Sequence, residues 1–379
     1  MIPRALFPII REQFFKGKII LVYGPRQTGK TTLSQSLIAD NAHSTLSITG
    51  DDPLAADFFP RINTFTMDSF LGDKKILFID EAQRFDNPGL TIKLIADRRK
   101  DIQILATGSS SFELLNRTAE SLTGRKSEFT LFPLSFAELC GHSGMLGEIG
   151  SLTTRMIFGA YPEIITTPGR EKILLTQLSG SYLYKDLLML DNIKKPVLLD
   201  KILKALSLQV GSEVSYNELS QTVGADKETV EKYIDLLEKS FVIFRLPAFS
   251  RNIRNEIKRG RKIYFLDNGI RNAVIGDYRP VEARNDLGAL WENYLISERF
   301  KALSYSGFYG ARYFWRTVGQ QEIDYIEEID GKIHAFEFKW NSRKKCRLPE
   351  NFKQAYPDCD FTVVTPHNYQ EFLTVNPFI

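Results

Sequence analysis

The eight residues from Gly24 to Thr31, GPRQTGKT, constrain this chain more than any other stretch. They match G-x-x-x-x-G-K-[ST] in full. They follow an apolar run, Lys18 to Tyr23 (KIILVY), and open a segment with Leu33, Leu37 and Ile38 at helical spacing. Strand, glycine loop and helix together form the context in which this pattern cradles phosphate. Glycines let backbone N–H groups approach oxygen closely, and the helix N-terminus adds partial positive charge. Gly24, Pro25, Arg26, Gln27, Thr28 and Gly29 would form the loop, with Thr32 just beyond it. Lys30 would reach the β- and γ-phosphates of a nucleoside triphosphate, and the Thr31 hydroxyl would ligate Mg2+.

The surrounding pattern supplies the sheet that such a loop needs. Lys75 to Ile79 and Gln103 to Ala106 read as two more strands, with a helix around Thr91 to Arg98 between them. Alternating strands and helices imply a parallel sheet covered by helices. The second strand ends in two carboxylates, KILFIDE. Asp80 would hold Mg2+, directly or through water, and Glu81 would act as general base on the attacking water. The third strand runs into ATGSSS, where Thr107 and Ser109 are candidates to bond the γ-phosphate or that water. A helix N-cap at Ser109 or Ser110 is the competing reading. Arg125, in LTGRKSEF, is the candidate for offsetting negative charge in the transition state; the competing reading is a surface arginine.

Several function classes fall away. The three cysteines, Cys140, Cys346 and Cys359, form no CxxC pair, and the four histidines form no HExxH spacing. No apolar run approaches the roughly 18 residues of a membrane span, and the N-terminal apolar stretch is too short for a signal-peptide core. Forty-nine basic and 46 acidic residues leave a net charge of +3, so any nucleic-acid affinity would have to come from local clusters. The expectation is a reduced, cytoplasmic protein without a membrane anchor. Its 379 residues suggest two to three domains, at about 150 residues each.

GPRQTGKT, FIDEAQ, TGSSS, LTGR and FPLSFAE occur in that order. YIDLLEKSFVIFRLPAF, KIYFLDNGIRN, LWENYLISE and GQQEIDYI…FEFKW follow. Over nearly its whole length the chain resembles the prokaryotic AAA-type ATPases that carry a C-terminal domain of unknown function. The resemblance implies an α/β fold in three parts: an AAA+ P-loop ATPase domain (1–145), a helical lid and winged-helix-like segment (146–281), and a restriction-endonuclease-like (PD-(D/E)XK) domain (282–379). It implies ATP and Mg2+ as cofactors, nucleotide roles for Lys30, Thr31, Asp80 and Glu81, and a homo-oligomer. It makes Glu292, Glu322, Asp324, Glu337 and Lys339 the C-terminal signature.

The later segments carry their own chemistry. Ser215 and Glu218 form a capping-box pattern, and Gly224 precedes a second helix from about Lys227 to Lys239. From Asp226 to Lys239 there are five acidic and three basic residues, an unfavourable charge for a helix read against DNA phosphates. A packing module is the stronger reading there. Ser250 to Lys262 is basic instead, and Arg251, Arg254, Lys258, Arg259, Arg261 and Lys262 are candidates for gripping DNA or RNA. Arg343, Lys344, Lys345 and Arg347 form a second basic cluster. Near the C-terminus, Asp330-Gly331 joins two strand-like runs as a two-residue hairpin. Its register sets Asp324 opposite Glu337 and Glu322 opposite Lys339 on one face. Ile323, Tyr325, Phe336 and Phe338 fall on the other. Two opposed carboxylates repel unless something compensates them, so Asp324 and Glu337 form a tentative second metal site, which Glu292 could complete. The alternatives are a structural charge network and an inactive nuclease-like module that recognises a protein partner.

Overall fold

The structure, a computed structural model, describes residues 2–108, 122–182, 196–250, 260–317, 319–343 and 346–374. Ser109, Arg251, Arg254, Lys258, Arg259, Lys344 and Lys345 lie outside these residues. Five strands form a parallel sheet: β1 (Ile19–Tyr23), β2 (Thr45–Thr49), β3 (Ile76–Asp80), β4 (Gln103–Gly108) and β5 (Lys126–Thr130), in the order β2-β3-β4-β1-β5. Alternate residues of β1 enter two different cores. Ile19 and Leu21 pack with Leu77, Ile79 and Ile104, while Ile20 and Val22 pack with Leu33, Leu37, Phe78 and Leu105. Burial on both faces is why β1, β3 and β4 read as largely apolar runs, whereas the edge strands β2 and β5 are half-exposed. Each Ile or Leu so buried contributes roughly 1.5–3 kcal/mol of transfer free energy. The helix α1 (Leu6–Arg11) and the helix α2 (Lys30–Ile38) cover one face, and α3 (Pro88–Arg98) packs into the core of the other.

The middle of the chain packs α4 (Phe136–Ser143) and further short helices against a second unit. That unit holds three helices, α5 (Pro196–Leu208), α6 (Tyr216–Val223) and α7 (Lys227–Lys239). It also holds an antiparallel sheet of β6 (Glu213–Val214), β7 (Ile243–Pro247) and β8 (Arg261–Phe265), in the order β6-β8-β7. Ser215 caps α6 by accepting the Glu218 N–H at 3.3 Å, Gly224 ends it in the left-handed region, and Asp226 caps α7. The acidity of α7 has a local cause. Arg245 on β7 draws Asp235 at 2.7 Å and Glu238 through a forked contact. The helix's exposed residues then carry three acids (Asp226, Glu228, Glu231) against three lysines (Lys227, Lys232, Lys239).

The C-terminal part is a four-stranded sheet in the order β12-β11-β10-β9, where β9 is Ala311–Arg316, β10 Glu322–Ile329, β11 Lys332–Phe338 and β12 Asp360–Val364. The 20-residue helix α8 (Leu287–Ser306) and the short helix α10 (Tyr369–Thr374) cover one face, and α9 (Glu350–Ala355) the other. Asp330 and Gly331 both have positive φ, 51° and 78°, as a two-residue hairpin of the expected kind requires. The register follows from it: Ile329 faces Lys332 and Tyr325 faces Phe336. Strict alternation fails further on. A register shift against β9 between Ile323 and Ile326 puts Ile323 with Ile326, Ile333 and Phe352, whereas Tyr325, Phe336 and Phe338 pack on the α8 side. Both faces are therefore apolar, and the carboxylates gather at the shift itself. Among the described residues no helix is long and apolar enough to cross a membrane.

Candidate functional site

At the C-terminal end of β1 the chain turns through Gly24, whose φ is +146° and whose hydrogen faces the backbone of Leu131. A Cβ there would lie 2.1 Å from the Leu131 carbonyl oxygen, so only glycine fits. Gly29 takes φ +88° and delivers the chain into α2. Lys30 is 6% exposed, and its ammonium donates to the carbonyl oxygens of Gly24 at 2.9 Å and Pro25 at 2.8 Å. The loop thus curls around its own lysine, whose charge is held by neutral carbonyls that a phosphate can replace. Thr28 closes the curl by donating to the Pro25 carbonyl at 2.9 Å.

Three oxygen-bearing side chains converge beside the loop. The Thr31 hydroxyl donates to the Asp80 carboxylate at 2.9 Å, and the Thr107 hydroxyl donates to the same carboxylate. The Glu81 N–H donates to Thr107 Oγ1 at 3.2 Å. Hard oxygens from Thr31 and Asp80 suit Mg2+, which binds through one or two protein oxygens plus phosphate. Glu81 sits at the strand tip with φ 49° and ψ 45°, a left-handed conformation that non-glycine residues rarely take. Two residues that were not singled out from the sequence support it. The Gln83 amide donates to the Glu81 carboxylate, and Gly50 packs so closely that a Cβ would lie 2.5 Å from the Glu81 carbonyl oxygen. Gln83 lies within the FIDEAQ string; nothing local marks Gly50.

A concave space of about 520 Å³ opens against Gly29 and Thr32 of the loop, and Ile2, Pro3, Phe7 and Pro162 line its far side. Sequence reasoning did not find this space, because the N-terminal apolar stretch carries no motif and reaches the loop only through tertiary packing.

Arg125 is placed elsewhere. Its carbonyl accepts the N–H of Ile19, the first residue of β1, at the end of the sheet opposite the phosphate loop. Its side chain pairs with Asp97 at 2.9 Å and is 47% exposed. It does not join Lys30, Asp80 and Glu81 within one chain.

The C-terminal signature residues do come together, but with a different partner from the expected one. Lys262, on β8, is 1% exposed, and its ammonium lies 3.0 Å from Glu292 and 2.6 Å from Glu322. Burial lowers its pKa, but the carboxylates of Glu292, Glu322 and Asp324 outweigh burial and the pKa stands above the ordinary lysine value. Tyr264 donates to the same Glu292 oxygen at 2.6 Å. Lys339 pairs with Glu337 at 2.5 Å rather than with Glu322. Asp324 is half-buried and accepts the Phe338 N–H at 2.8 Å; desolvation first, then Glu292 and Glu337, push its pKa well above the carboxylate range. Among the described residues no group of three or more His, Cys, Asp or Glu side chains gathers as a metal site. Lys262 is also removed from the basic surface assigned to nucleic acid. Arg261 remains half-buried, with its guanidinium 5.2 Å from the Tyr216 ring centroid.

Comparison with known proteins agrees with the loop chemistry. Residues 16–140 match a family model described as an AAA domain. Residues 149–280 and 287–375 match two models, each described as a domain of unknown function. An uncharacterized protein of Mycobacterium tuberculosis is 26% identical over 343 residues, covering 88% of this chain and 73% of that one. An uncharacterized protein of Methanocaldococcus jannaschii is 25% identical over 289 residues, covering 68% and 62%. Among solved structures, a Walker-type ATPase of Pyrococcus abyssi superposes with a TM-score of 0.50 at 14% identity, over 73% of this chain and 96% of that one. The parallel sheet and its loop therefore have the fold of a P-loop ATPase, and residues 16–140 carry the sequence of an AAA-type domain.

Proposed function

We propose that this chain binds ATP with Mg2+ and hydrolyses it. The observation that carries the reading is the convergence of Thr31 and Thr107 on Asp80, beside a loop folded around Lys30. In this reading the phosphates take the place of the Gly24 and Pro25 carbonyls at Lys30, and Thr31 and Asp80 hold the Mg2+. Bound Mg2+ would neutralise charge developing on the phosphates. Glu81, oriented by Gln83 and by its strained backbone, accepts a proton from the attacking water. Thr107 holds Asp80 and the Glu81 N–H in register. The base lies in the space lined by Ile2, Pro3, Phe7 and Pro162, which suits a flat heteroaromatic ring. Arg125 faces away from its own nucleotide and is the candidate for completing the site of a neighbouring subunit in a homo-oligomer.

Hydrolysis on this reading drives or gates a nucleic-acid transaction. The middle unit is arranged helix-strand-helix-helix-strand-strand, a winged-helix-like order, and the connection between β7 and β8 contains the basic run. A second reading is favoured by one observation, the buried Lys262 between Glu292 and Glu322. There the C-terminal unit is a nuclease-like scaffold whose carboxylates serve as a charged joint, and the protein is a nucleotide-controlled switch that recognises a protein partner. Parent and Glu81→Gln, assayed with Mg2+ and ATP in the presence and absence of DNA or RNA, test these readings. Glu81→Gln should retain ATP binding and lose turnover by roughly 10²–10⁴-fold. Parental turnover in that variant would refute the base assignment. Turnover indifferent to nucleic acid would select the switch.

A further inference from the structure

Arg4 belongs to no motif in the phosphate loop, yet it is built into it. Its side chain is 8% exposed and its three donor nitrogens are all engaged. Nη1 donates to the Thr28 carbonyl at 2.5 Å, Nη2 to the Phe132 carbonyl at 2.6 Å, and Nε to Glu138 Oε1 at 2.9 Å. Glu138 is fixed in turn by the N–H groups of Ala5 and Ser135, each at 2.8 Å. The guanidinium fork is planar and holds all three directions at once. In a trans peptide the C=O and the following N–H point oppositely, so holding the Thr28 carbonyl on Arg4 turns the Gly29 N–H the other way. Gly29 is the last loop residue before α2, where a cradled phosphate needs N–H groups.

The segment that Arg4 grips is itself clamped from the C-terminal unit. Glu298, Lys301 and Tyr305 follow one another on one face of α8, and they hold the backbone of Phe136, Leu134 and Phe132. Glu298 accepts the Phe136 N–H at 2.8 Å, Lys301 donates to the Leu134 carbonyl at 3.2 Å, and the Tyr305 hydroxyl accepts the Phe132 N–H at 3.1 Å. Helix residues at i, i+3 and i+7 lie on one face, so the three side chains reach successive backbone groups of the loop from Phe132 to Phe136. Phe132 is shared: its carbonyl meets Arg4 and its N–H meets Tyr305. Leu131, its neighbour, donates to the Tyr23 carbonyl at 2.7 Å and is the residue against which Gly24 packs. Arg4 also lies beside the Tyr305 hydroxyl, whose pKa is raised by burial first and by Glu138, against the pull of Arg4. Thirteen residues back along α8, about 20 Å away, stands Glu292 with Lys262.

We propose that Arg4 is a positioning residue for the phosphate-binding loop and that, through Phe132 and Tyr305, it couples nucleotide occupancy to the docking of α8. The coupling rests on the ATP reading above and is reciprocal: what nucleotide does to the helix, the helix does to nucleotide affinity. Any change in the loop that turns the Thr28 peptide must break or relax the Arg4 fork, and the fork also holds the segment that α8 clamps.

The test is a titration of the 379-residue chain with a fluorescent ATP analogue and Mg2+, together with amide hydrogen exchange over residues 298–306 and a thermal melt. Parent, Tyr305→Phe, Arg4→Gln and Arg4→Lys are compared. Nucleotide should slow exchange in 298–306 of the parent. Tyr305→Phe keeps the ring against Phe132 and removes the acceptor. It should weaken nucleotide binding about three- to tenfold and abolish the exchange response. Arg4→Gln should weaken binding more, with partial recovery in Arg4→Lys. A lowered melting temperature with parental nucleotide affinity in Tyr305→Phe would mean a purely structural contact and would overturn the proposal. A parent that binds nucleotide without any exchange response would overturn it equally. A parent that binds no nucleotide would instead remove the ATP reading, and the coupling with it.

Discussion

The phosphate loop and the C-terminal carboxylate cluster both bring a buried lysine to a set of oxygens, and they do it in opposite ways. Lys30 rests on two carbonyls of its own loop, whose Thr28 and Gly29 line a space of about 520 Å³. Lys262 rests between two carboxylates, supplied by a different part of the chain, and is 1% exposed. A charge held by neutral acceptors gains when an anion arrives, because ion–ion contacts replace ion–dipole ones. A charge already paired with two acids gains nothing from a further cation and would have to be displaced by it. The count of acidic residues therefore misleads about which of the two is a binding site. The nature of the counter-group, and the room beside it, separate them.

The largest expected effect breaks the first half of this comparison. Lys30→Ala removes the group that exchanges carbonyls for phosphates, and ATP affinity should fall at least about 100-fold, since two charge-assisted hydrogen bonds are each worth roughly 1.5–3 kcal/mol. Calorimetric titration with Mg2+ and ATP measures it. The fold should survive, because the volume left by the lysine side chain admits water to the buried Gly24 and Pro25 carbonyls. An affinity near that of the parent would mean that the lysine is only a structural plug, as Lys262 is in the other region.

The second effect concerns the C-terminal cluster. Lys262→Met leaves Glu292, Glu322 and Asp324 facing one another without their cation, and breaking a buried ion pair on one side costs about 3–5 kcal/mol of stability. Denaturant unfolding should show the midpoint shift. The same unfolding curve with Mg2+ sharpens the comparison. If Mg2+ leaves the variant as unstable as before, the cluster is a joint. If Mg2+ restores it, the acids retain metal-binding geometry and the lysine stands where a metal would.

The two regions also differ in how far the sequence disclosed them. At the phosphate loop, function needs adjacent residues: a strand, a turn, two glycines, a lysine and a threonine. Spacing along the chain is then spacing in space, so β1, α2, Thr31 and Asp80 follow from pattern. The C-terminal hairpin was legible to Tyr325 opposite Phe336, since a two-residue Asp-Gly turn allows one register. Beyond that, a shift against β9 broke the alternation between Ile323 and Ile326, and no residue type announces it. The partner of Glu322 was invisible for another reason. Lys262 lies 60 residues away on β8, within a run that reads as a basic loop, and only tertiary packing carries it into the cluster. Arg4, Gly50 and Tyr305 share that obstacle: each acts on a distant backbone group, which leaves no trace in local spacing.

The smallest effect probes the same cluster through one carboxyl. Asp324 has its pKa raised by burial, then by Glu292 and Glu337. An acid whose folded pKa lies above its unfolded value, about 3.9, keeps a proton that the unfolded chain has released. Its contribution to stability is present below that unfolded value and is lost as pH rises through the folded pKa. The parent should therefore lose stability as pH climbs from about 4 toward neutrality. Asp324→Asn fixes the neutral form and still offers an oxygen to the Phe338 N–H. It should flatten that slope and leave the variant equal to the parent near pH 4 and more stable at pH 7, by on the order of 1 kcal/mol. ATP turnover should be unchanged, because the residue lies in the other region. Thermal melts across pH 4 to 8, with and without Mg2+, read this directly. A variant less stable than the parent at pH 7 would show that the carboxylate is held charged by Lys262 and is a net contributor. A parental pH slope that disappears in Mg2+ would show the acid pair binding a cation, and the contrast with the phosphate loop would narrow to one of affinity.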